Sequence, residues 1–330
     1  MGRASVRSVL AELDFSPARD DLVKIGAETK KIVESIRRSL KRDKKDADVF
    51  IGGSFAKRSL VRAERYEVDI FARFNKKYEK EDVSKLLERA LKSSGLKASK
   101  IHGSRDYFKI KRGIYDFEIV PVLRITNPRE ARNVTDLSYF HVKYIKKKIK
   151  NERVVRDILL AKAFLHGQNS YGAESYINGF SGYATEVLVL HYGGFEGFIK
   201  KIINLKPNEV IDPEKHYKNS REALLEMNES KTHSPIVLVD PTFKERNILA
   251  ALSKETLERV QESIKRFMKN PRDDYFYAKK INKTKLEERA RKQGAEFIEL
   301  EVKTDRQGGD IAGTKLKKFY NFVSCLYSTK

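Results

Sequence analysis

The sequence predicts an α+β fold: a mixed sheet with helices, then a helical domain, then a small α/β domain. Three observations lead to this prediction. Short β-branched and aromatic runs broken by glycine lie in the first third of the chain. Long apolar-periodic segments separated by Gly-rich turns occupy the middle. A strand, helix, strand, helix order returns after Pro271, and the 330 residues are enough for two or three domains.

The first predicted domain covers residues 1–142. Apolar side chains recur at helical spacing among the charges of residues 18–42, which predicts a half-exposed amphipathic helix. Strands are predicted from Val49, over 67–74 and over 107–125, and residues 80–94 between them predict a surface helix. These elements together predict one sheet with helices.

The second predicted domain covers residues 143–256 and the third covers 257–330. The segments 153–167 and 181–203 have the apolar periodicity of long helices, so the second domain is expected to be helical. In the third, strands over 275–279 and 296–302 are expected to alternate with helices, which makes a small α/β unit.

The charge balance predicts a polyanionic partner. Lys and Arg number 68 against 46 Asp and Glu, so the formal net charge is +22. The single cysteine, Cys325, excludes an intramolecular disulfide and a cysteine zinc site. No signal peptide and no run of about 18 apolar residues is visible, so we expect a cytoplasmic protein with no membrane partner.

Two acidic strands carry the strongest chemical signal. Residues two apart in a strand share a face, so Glu67 and Asp69 point the same way. The strand containing Asp116 and Glu118 offers a second pair, and adjacent strands would bring three carboxylates together. Neighbouring carboxylates repel, and hard oxygen ligands favour Mg²⁺ as the compensating cation. The alternative is an ordinary exposed strand edge.

Two further features suggest phosphate binding. The turn at Gly53 and Ser54, followed by Lys57, fits a backbone turn that holds phosphate oxygens, although a plain strand-to-helix turn has the same pattern. Lys162 follows Val154 and Ile158 at intervals of four, which places it in an apolar helical stripe. Its ammonium either snorkels to solvent or has a function.

Several phrases of the sequence are similar to one known family. The pattern Gly53-Ser54 leading to Glu67-x-Asp69, then an acidic strand ending in Val-Pro, resembles the nucleotidyltransferase fold of the polymerase-beta superfamily. The segments 133–149, 159–195 and 238–253 resemble the archaeal class I CCA-adding tRNA nucleotidyltransferases. The resemblance covers most of residues 1–300. It implies a nucleotidyltransferase head, a helical neck and a partial body for the three predicted domains.

The resemblance also implies roles for individual residues. Glu67 and Asp69 match the metal-binding carboxylates, and Glu118 stands where the family usually has an Asp that helps to deprotonate the primer hydroxyl. Together with Lys57 of the same turn, the residues expected at the nucleotide are Gly53, Ser54, His141, Lys162, Tyr171, Arg246 and Asn247. Of these, Arg246 and Asn247 match the segment that borders the incoming base, while a helix cap is the alternative for them.

The implied activity is addition of CCA to the 3′ end of tRNA from CTP and ATP, by two-metal in-line transfer that releases pyrophosphate. Two alternatives stay open: a 3′-end adenylyltransferase acting on other RNA, and a catalytically weak tRNA-binding relative. Members of the family run further and use a C-terminal tail at the tRNA elbow, so we expect this chain to lack that tail. A homodimer is an open possibility.

Overall fold

The computed structural model describes residues 5–103, 105–227, 232–279, 281–304 and 309–328. The extreme ends of the first and third predicted domains therefore lie outside the described residues. Within the described ranges, no helix combines the length and the apolar character needed to cross a membrane.

The first part of the chain forms a five-stranded mixed sheet with helices. Its elements, in chain order, are α1 (Val6–Glu12), α2 (Arg19–Arg42), β1 (Ala47–Ile51), α3 (Gly53–Ala56), β2 (Tyr66–Asn75), α4 (Val83–Ser93), β3 (Ser99–Ile101), β4 (Tyr107–Arg112) and β5 (Tyr115–Arg124). The strand order is β1-β2-β5-β4-β3. Only β2 and β5 pair in parallel; the other neighbours are antiparallel. The predicted α+β class and mixed sheet are confirmed.

One face of this sheet is a hydrophobic core and the other face carries the site. Alternate side chains of β2, such as Val68, Ile70 and Phe74, are fully buried against α2 and α4. The intervening side chains, Glu67 and Asp69 among them, point to the opposite face. The two-residue period of the strand thus separates packing from chemistry.

The remainder of the chain is mainly helical. Its elements are α5 (Ser138–Lys148), α6 (Glu152–Gly167), α7 (Gly182–His191), α8 (Phe195–Ile202), β6 (Glu209–Ile211), α9 (Ser220–Glu226), β7 (Ile236–Asp240), β8 (Phe243–Asn247), α10 (Lys254–Lys269), α11 (Lys283–Lys292) and α12 (Gly309–Ser328). A second large core joins α6, α7, α8 and α10.

The domain predicted as helical over 143–256 also contains a small sheet that the prediction missed, because β6, β7 and β8 form three hydrogen-bonded strands there. Strand β7 is buried along its whole length. Its run of β-branched and apolar residues, followed by the turn at Pro241, is a strand signal that the helical prediction overlooked.

The expected α/β character of residues 257–330 is also wrong, since the structure has no strand in the described residues of that range. A strand needs a hydrogen-bonded neighbour, and neither predicted segment meets one. Residues 273–276 form a single 3₁₀ turn that buries Phe276 among Phe164, Phe195 and Phe267. In 296–302, Ile298 and Leu300 are more than half exposed.

The second core extends beyond the predicted middle domain. Leu257, Val260 and Phe267 of α10 belong to it, so the boundary at 256/257 lies inside a helix of this core. Leu10 and Phe15, near the start of the chain, pack in the same cluster. The N-terminal segment thus ties the sheet domain to the helices.

Asp136 fixes the passage from the sheet to α5. Its buried carboxylate accepts hydrogen bonds from the Leu123 amide at 2.8 Å and from the Arg132 and Asn133 amides at 3.0 Å each. It also forms an ion pair with Arg105, whose side chain is 12% exposed. One carboxylate therefore aligns the end of β5 with the start of the helical part.

We expect Asp136→Ala to lower the free energy of unfolding by about 3 kcal/mol, because it leaves a buried guanidinium and several amides without their acceptor. Urea unfolding followed by circular dichroism measures the change. The matched control is Asp274→Ala, whose ion pair with Arg272 is more than half exposed on both sides and should matter by less than about 1 kcal/mol. Equal effects of the two substitutions would contradict this assignment.

Candidate active site

Three carboxylates meet on the open face of the sheet. The parallel register places Asp69 beside Glu118, and Glu67 lies two residues before Asp69 on the same face. One oxygen from each of the three lies within 4.8 Å of the other two. The predicted cluster is present, and hard oxygen donors at this separation suit a divalent cation. Asp116, the neighbouring acid, instead pairs with Arg65 at 2.7 Å.

The cluster is electrostatically crowded. Burial, reinforced by the charge of Glu67, raises the pKa of Asp69 to about 6 and that of Glu118 to about 7. Lys109 lies opposite Glu118 on β4, with its ammonium 2.8 Å from Glu118 and 3.4 Å from Glu67. Burial would lower the pKa of Lys109, but these carboxylates raise it above its usual value. Lys109 is thus the resident cation of the site.

The Gly53 turn packs directly on the cluster. Gly53 has φ +57°, and a Cβ built on it would lie 1.6 Å from Oδ2 of Asp69. The preceding amide, that of Gly52, donates to the Asp69 carbonyl at 2.8 Å. Only glycine permits both the left-handed backbone and this approach. The turn is therefore held against the acidic strand, and Ser54 follows it at once.

A buried ion network lies behind the turn. The carboxylate of Glu186, on α7, accepts from Lys57 at 2.7 Å through one oxygen and from Lys162 at 2.8 Å through the other. Burial would raise the pKa of Glu186, but Lys162 and Lys57 lower it to about 2. Lys162 lies in the apolar stripe as predicted and is 1% exposed, so it does not snorkel.

The direct triphosphate contact expected for Lys162 stays a prediction. Its ammonium also donates to the carbonyl and the hydroxyl of Ser59, at 2.9 and 3.0 Å. With Glu186, these acceptors use all three of its N–H groups. Lys162 therefore braces the network in this structure.

A second polar group centres on Asp240, at the end of β7. Its carboxylate accepts from Tyr183 at 3.1 Å and lies 3.0 Å from Nε2 of His141 and 3.3 Å from Arg246. His141 stacks on Tyr183 with ring centroids 4.0 Å apart. Burial lowers the pKa of His141. Burial alone would raise the pKa of Asp240, but His141 and Arg246 lower it to about 2. His141 and Arg246 are thus brought together as neighbours.

The contact expected between Asn247 and the nucleotide stays a prediction, and in this structure the side chain of Asn247 is committed to the fold. It is 4% exposed, and its oxygen accepts from the Leu238 and Leu249 amides at 3.0 and 2.9 Å. Its nitrogen donates to the Ser234 hydroxyl at 2.8 Å. These bonds join β7 to the segment after β8. The helix-cap alternative is wrong, since Arg246 and Asn247 lie in β8.

A cleft of about 580 Å³ opens beside the acidic cluster. Its lining includes Ser54 and Glu67 from the sheet domain and Tyr171, His166 and Tyr277 from the later part of the chain. Tyr171 stacks on His166 at 4.2 Å, and burial raises its pKa. The volume lies within the range of about 300–1,000 Å³ that small-molecule sites occupy. Arg246 is not part of this lining in the described part of the chain.

Three residues of the site were not identified as candidates from the sequence: Glu186, Asp240 and Lys109. Glu186 is a charged residue in a largely apolar helix, and Asp240 ends an apolar strand. A charge in an apolar segment is the same signal that identified Lys162. Lys109 gave no such signal, because an alternating Lys on a strand is ordinary. Its role depends on the β4–β5 register.

Comparison with known proteins gives consistent findings. Residues 156–277 match the family model described as the second domain of tRNA nucleotidyltransferase. The chain is 37% identical over 304 residues to a CCA-adding enzyme of Nanoarchaeum equitans, a match covering 92% of this chain and 72% of that protein. It is 30% identical over 236 residues to a CCA-adding enzyme of Methanosarcina acetivorans, covering 70% of this chain and 49% of that protein. The chain thus matches about half of the Methanosarcina relative's length.

Solved structures share the fold at low identity. The Cid1 poly(U) polymerase bound to Mg and 3′-dATP superimposes with a TM-score of 0.63 at 14% identity, covering 83% of this chain and 98% of that one. A cytoplasmic RNA terminal U-transferase gives a TM-score of 0.60 at 14% identity, with 84% and 98% covered. The likeness establishes the nucleotidyltransferase fold.

We expect Lys109→Met to tighten Mn²⁺ binding about tenfold at pH 8, because a divalent ion then no longer competes with the resident ammonium for Glu118 and Glu67. Electron paramagnetic resonance of free Mn²⁺ measures the affinity without any turnover. Lys111→Met, an exposed lysine two residues along the same strand, is the control and should leave the affinity nearly unchanged. Weaker Mn²⁺ binding by the Lys109 variant would overturn this role.

Mn²⁺ affinity should fall as the pH drops from 8 to 5.5. Because the pKa values of Asp69 and Glu118 are raised to about 6 and about 7, both groups take up protons in this interval, and a cation must displace them. Calorimetry in two buffers of different ionisation enthalpy should register proton release on binding near pH 6.5 and little at pH 8. Binding that does not change with pH would show that other groups hold the ion.

Proposed function

The chain belongs to the family of CCA-adding enzymes, and we propose that it adds or repairs the 3′-terminal CCA of tRNA from CTP and ATP. The observation that supports this most directly is the three-carboxylate cluster beside a glycine turn and a cleft of nucleotide size. The net charge of +22 suits an RNA backbone. The cytoplasm is the compartment we propose for this reaction.

The proposed reaction joins the 3′-hydroxyl oxygen of the tRNA to the α-phosphorus of the nucleotide and breaks the bond from that phosphorus to the bridging oxygen. Pyrophosphate leaves with the bond electrons. Glu67, Asp69 and Glu118 would hold Mg²⁺, which when bound neutralises phosphate charge and activates the hydroxyl. The oxygens of these residues are the hard donors that Mg²⁺ prefers.

Glu118 is the proposed acceptor of the hydroxyl proton. Its pKa of about 7 suits a group that takes up and releases a proton near neutral pH. Oε1 of Glu118 lies 2.8 Å from the Lys109 ammonium. Relative to the Asp usual in the family, the extra methylene extends this carboxylate further from the backbone of β5.

The phosphates are proposed to lie at the Gly53 turn. Ser54, Tyr171 and Glu67 line the same cleft, and Lys57 supplies a positive charge close to Asp69. His141 and Arg246 form a polar group close to Lys57. His141 stacks on Tyr183, and the Lys57 ammonium lies 5.9 Å from the centre of the Tyr183 ring. We propose that Arg246 reads the base edge.

The three parts of the chain have distinct proposed tasks. Residues 1–142 carry the catalytic head, 143–256 the neck that binds nucleotide, and 257–330 a part that binds the acceptor stem. A homodimer is part of the proposal, and sedimentation of the purified chain measures it directly.

We expect Glu67→Ala and Asp69→Ala each to reduce nucleotide addition by at least about a hundredfold, because each removes a ligand from the cation site. The assay is a sequencing gel with purified protein, Mg²⁺, a tRNA transcript lacking CCA, and CTP, ATP or both. Binding of that tRNA should persist in both variants. Asp116→Asn, which alters the neighbouring acid that pairs with Arg65, is the control and should stay active.

The wild-type gel separates the competing functions. Ordered addition of two C and one A supports CCA addition. Addition of A alone, or addition to unrelated RNA, would favour the adenylyltransferase, and tight tRNA binding without addition would favour a binding protein. Activity that survives the loss of Glu67 and Asp69 together would refute the site.

A further inference from the structure

Glu186 joins two lysines that come from different parts of the fold. Lys57 follows α3 on the sheet side, whereas Lys162 and Glu186 lie on α6 and α7 of the helical part. The Glu186 side chain is fully buried, and the two lysine side chains are 9% and 1% exposed. Each oxygen of the one carboxylate holds one ammonium, at 2.7 and 2.8 Å.

The two lysines differ in the donors that remain. Lys162 gives its three N–H groups to Glu186 and to two oxygens of Ser59. In the described part of the chain, Lys57 donates only to Glu186, so two of its N–H groups are uncommitted. Lys162 is anchored, whereas Lys57 can bind another anion.

The charge of the cluster is also unbalanced. Two ammonium groups face one carboxylate, so the second positive charge, that of Lys57, is shared between Glu186 and the nearby Asp69. An anionic ligand at the turn would add a partner for this buried charge. The location suits phosphate, because the charge of Lys57 lowers the pKa of both Asp69 and His141 and so lies close to both.

We propose that Glu186 is a positioning residue for the nucleotide phosphates: it aims the Lys57 ammonium at them, and Lys162 braces the carboxylate from behind. The inference rests on the proposed function, since it takes a nucleoside triphosphate as the ligand. Glu186 itself does not touch that ligand. It acts through the single hydrogen bond that orients Lys57.

Two double variants test this role at constant charge. The first combines Lys162→Met with Glu186→Met, and the second combines Lys162→Met with Glu186→Gln. Each removes one positive and one negative charge, so the group formed by Lys57, Lys162 and Glu186 keeps its net charge of +1. Replacing a buried ion pair by apolar side chains of similar volume is often tolerated. The glutamine of the second variant would still offer Lys57 an acceptor oxygen, whereas the methionine that replaces Glu186 in the first would offer none. Thermal unfolding verifies that both variants are folded.

We expect KM for CTP to rise about tenfold in the Met/Met variant and to stay within about twofold of wild type in the Met/Gln variant, because only the first frees Lys57 from its acceptor. The kcat at saturating CTP should change much less than KM in both. Equal KM values in the two variants, whether both raised or both normal, would overturn the proposal; if both are raised, Lys162 itself contacts the phosphates. Should either double variant fail to fold, Lys57→Met decides: the proposal requires KM for CTP to rise about tenfold with little change in kcat, and an unchanged KM would overturn it.

Calorimetric titration with inorganic tripolyphosphate provides a readout that needs no turnover. The same order of affinities is expected, with the Met/Met variant about tenfold weaker than the Met/Gln variant. If the wild-type chain fails to extend tRNA but this order of affinities holds, the proposed function fails and the role of Glu186 stands. If wild type adds CCA and the two variants bind tripolyphosphate equally, only the role of Glu186 fails.

Discussion

The parallel pairing of β2 with β5 is the constraint on which the rest of the site depends. It places Asp69 directly beside Glu118, with Glu67 next to them, and so brings three like charges within 4.8 Å. Such a cluster opposes folding unless protons or cations compensate it. The raised pKa values of Asp69 and Glu118 reflect burial and this repulsion, and positively charged neighbours reduce the repulsion.

Lys109 and Lys57 compensate this repulsion, and Gly53 allows the turn before Lys57 to pack on Asp69. Lys109 lies across the strand pair and contacts two of the carboxylates. Gly53 has no side chain, so the following turn approaches Asp69 closely. Lys57, three residues after Ser54, carries its charge to the far side of the same turn. The acidic cluster therefore lies between two lysines, which explains how an acidic site is stable within a strongly basic protein.

The helical part completes the site through two buried carboxylates. Glu186 ties Lys57 to Lys162, and Asp240 ties His141 to Tyr183 and Arg246. Each carboxylate is fully buried, and each has a pKa near 2 because its cationic partners outweigh burial. Glu186 couples the sheet domain to the helices, so the geometry of the turn depends on how the two parts meet, whereas Asp240 links α5, α7 and β8.

The sequence by itself determined the local patterns: the α+β class, the strands at Glu67 and Glu118, the turn at Gly53, and a lysine at 162 within an apolar helical stripe. Periodicity and glycine positions are properties of short segments, so they can be read without coordinates. Only the tertiary structure decided which charges meet. The tertiary structure pairs Lys109 with Glu118, holds Lys57 on Glu186 and commits the Asn247 side chain to β7 and its surroundings. These contacts join residues from separate segments, and strand register and helix packing set them. The strands predicted over 275–279 and 296–302 are not formed in the described residues for the same reason, since a strand exists only where another strand pairs with it.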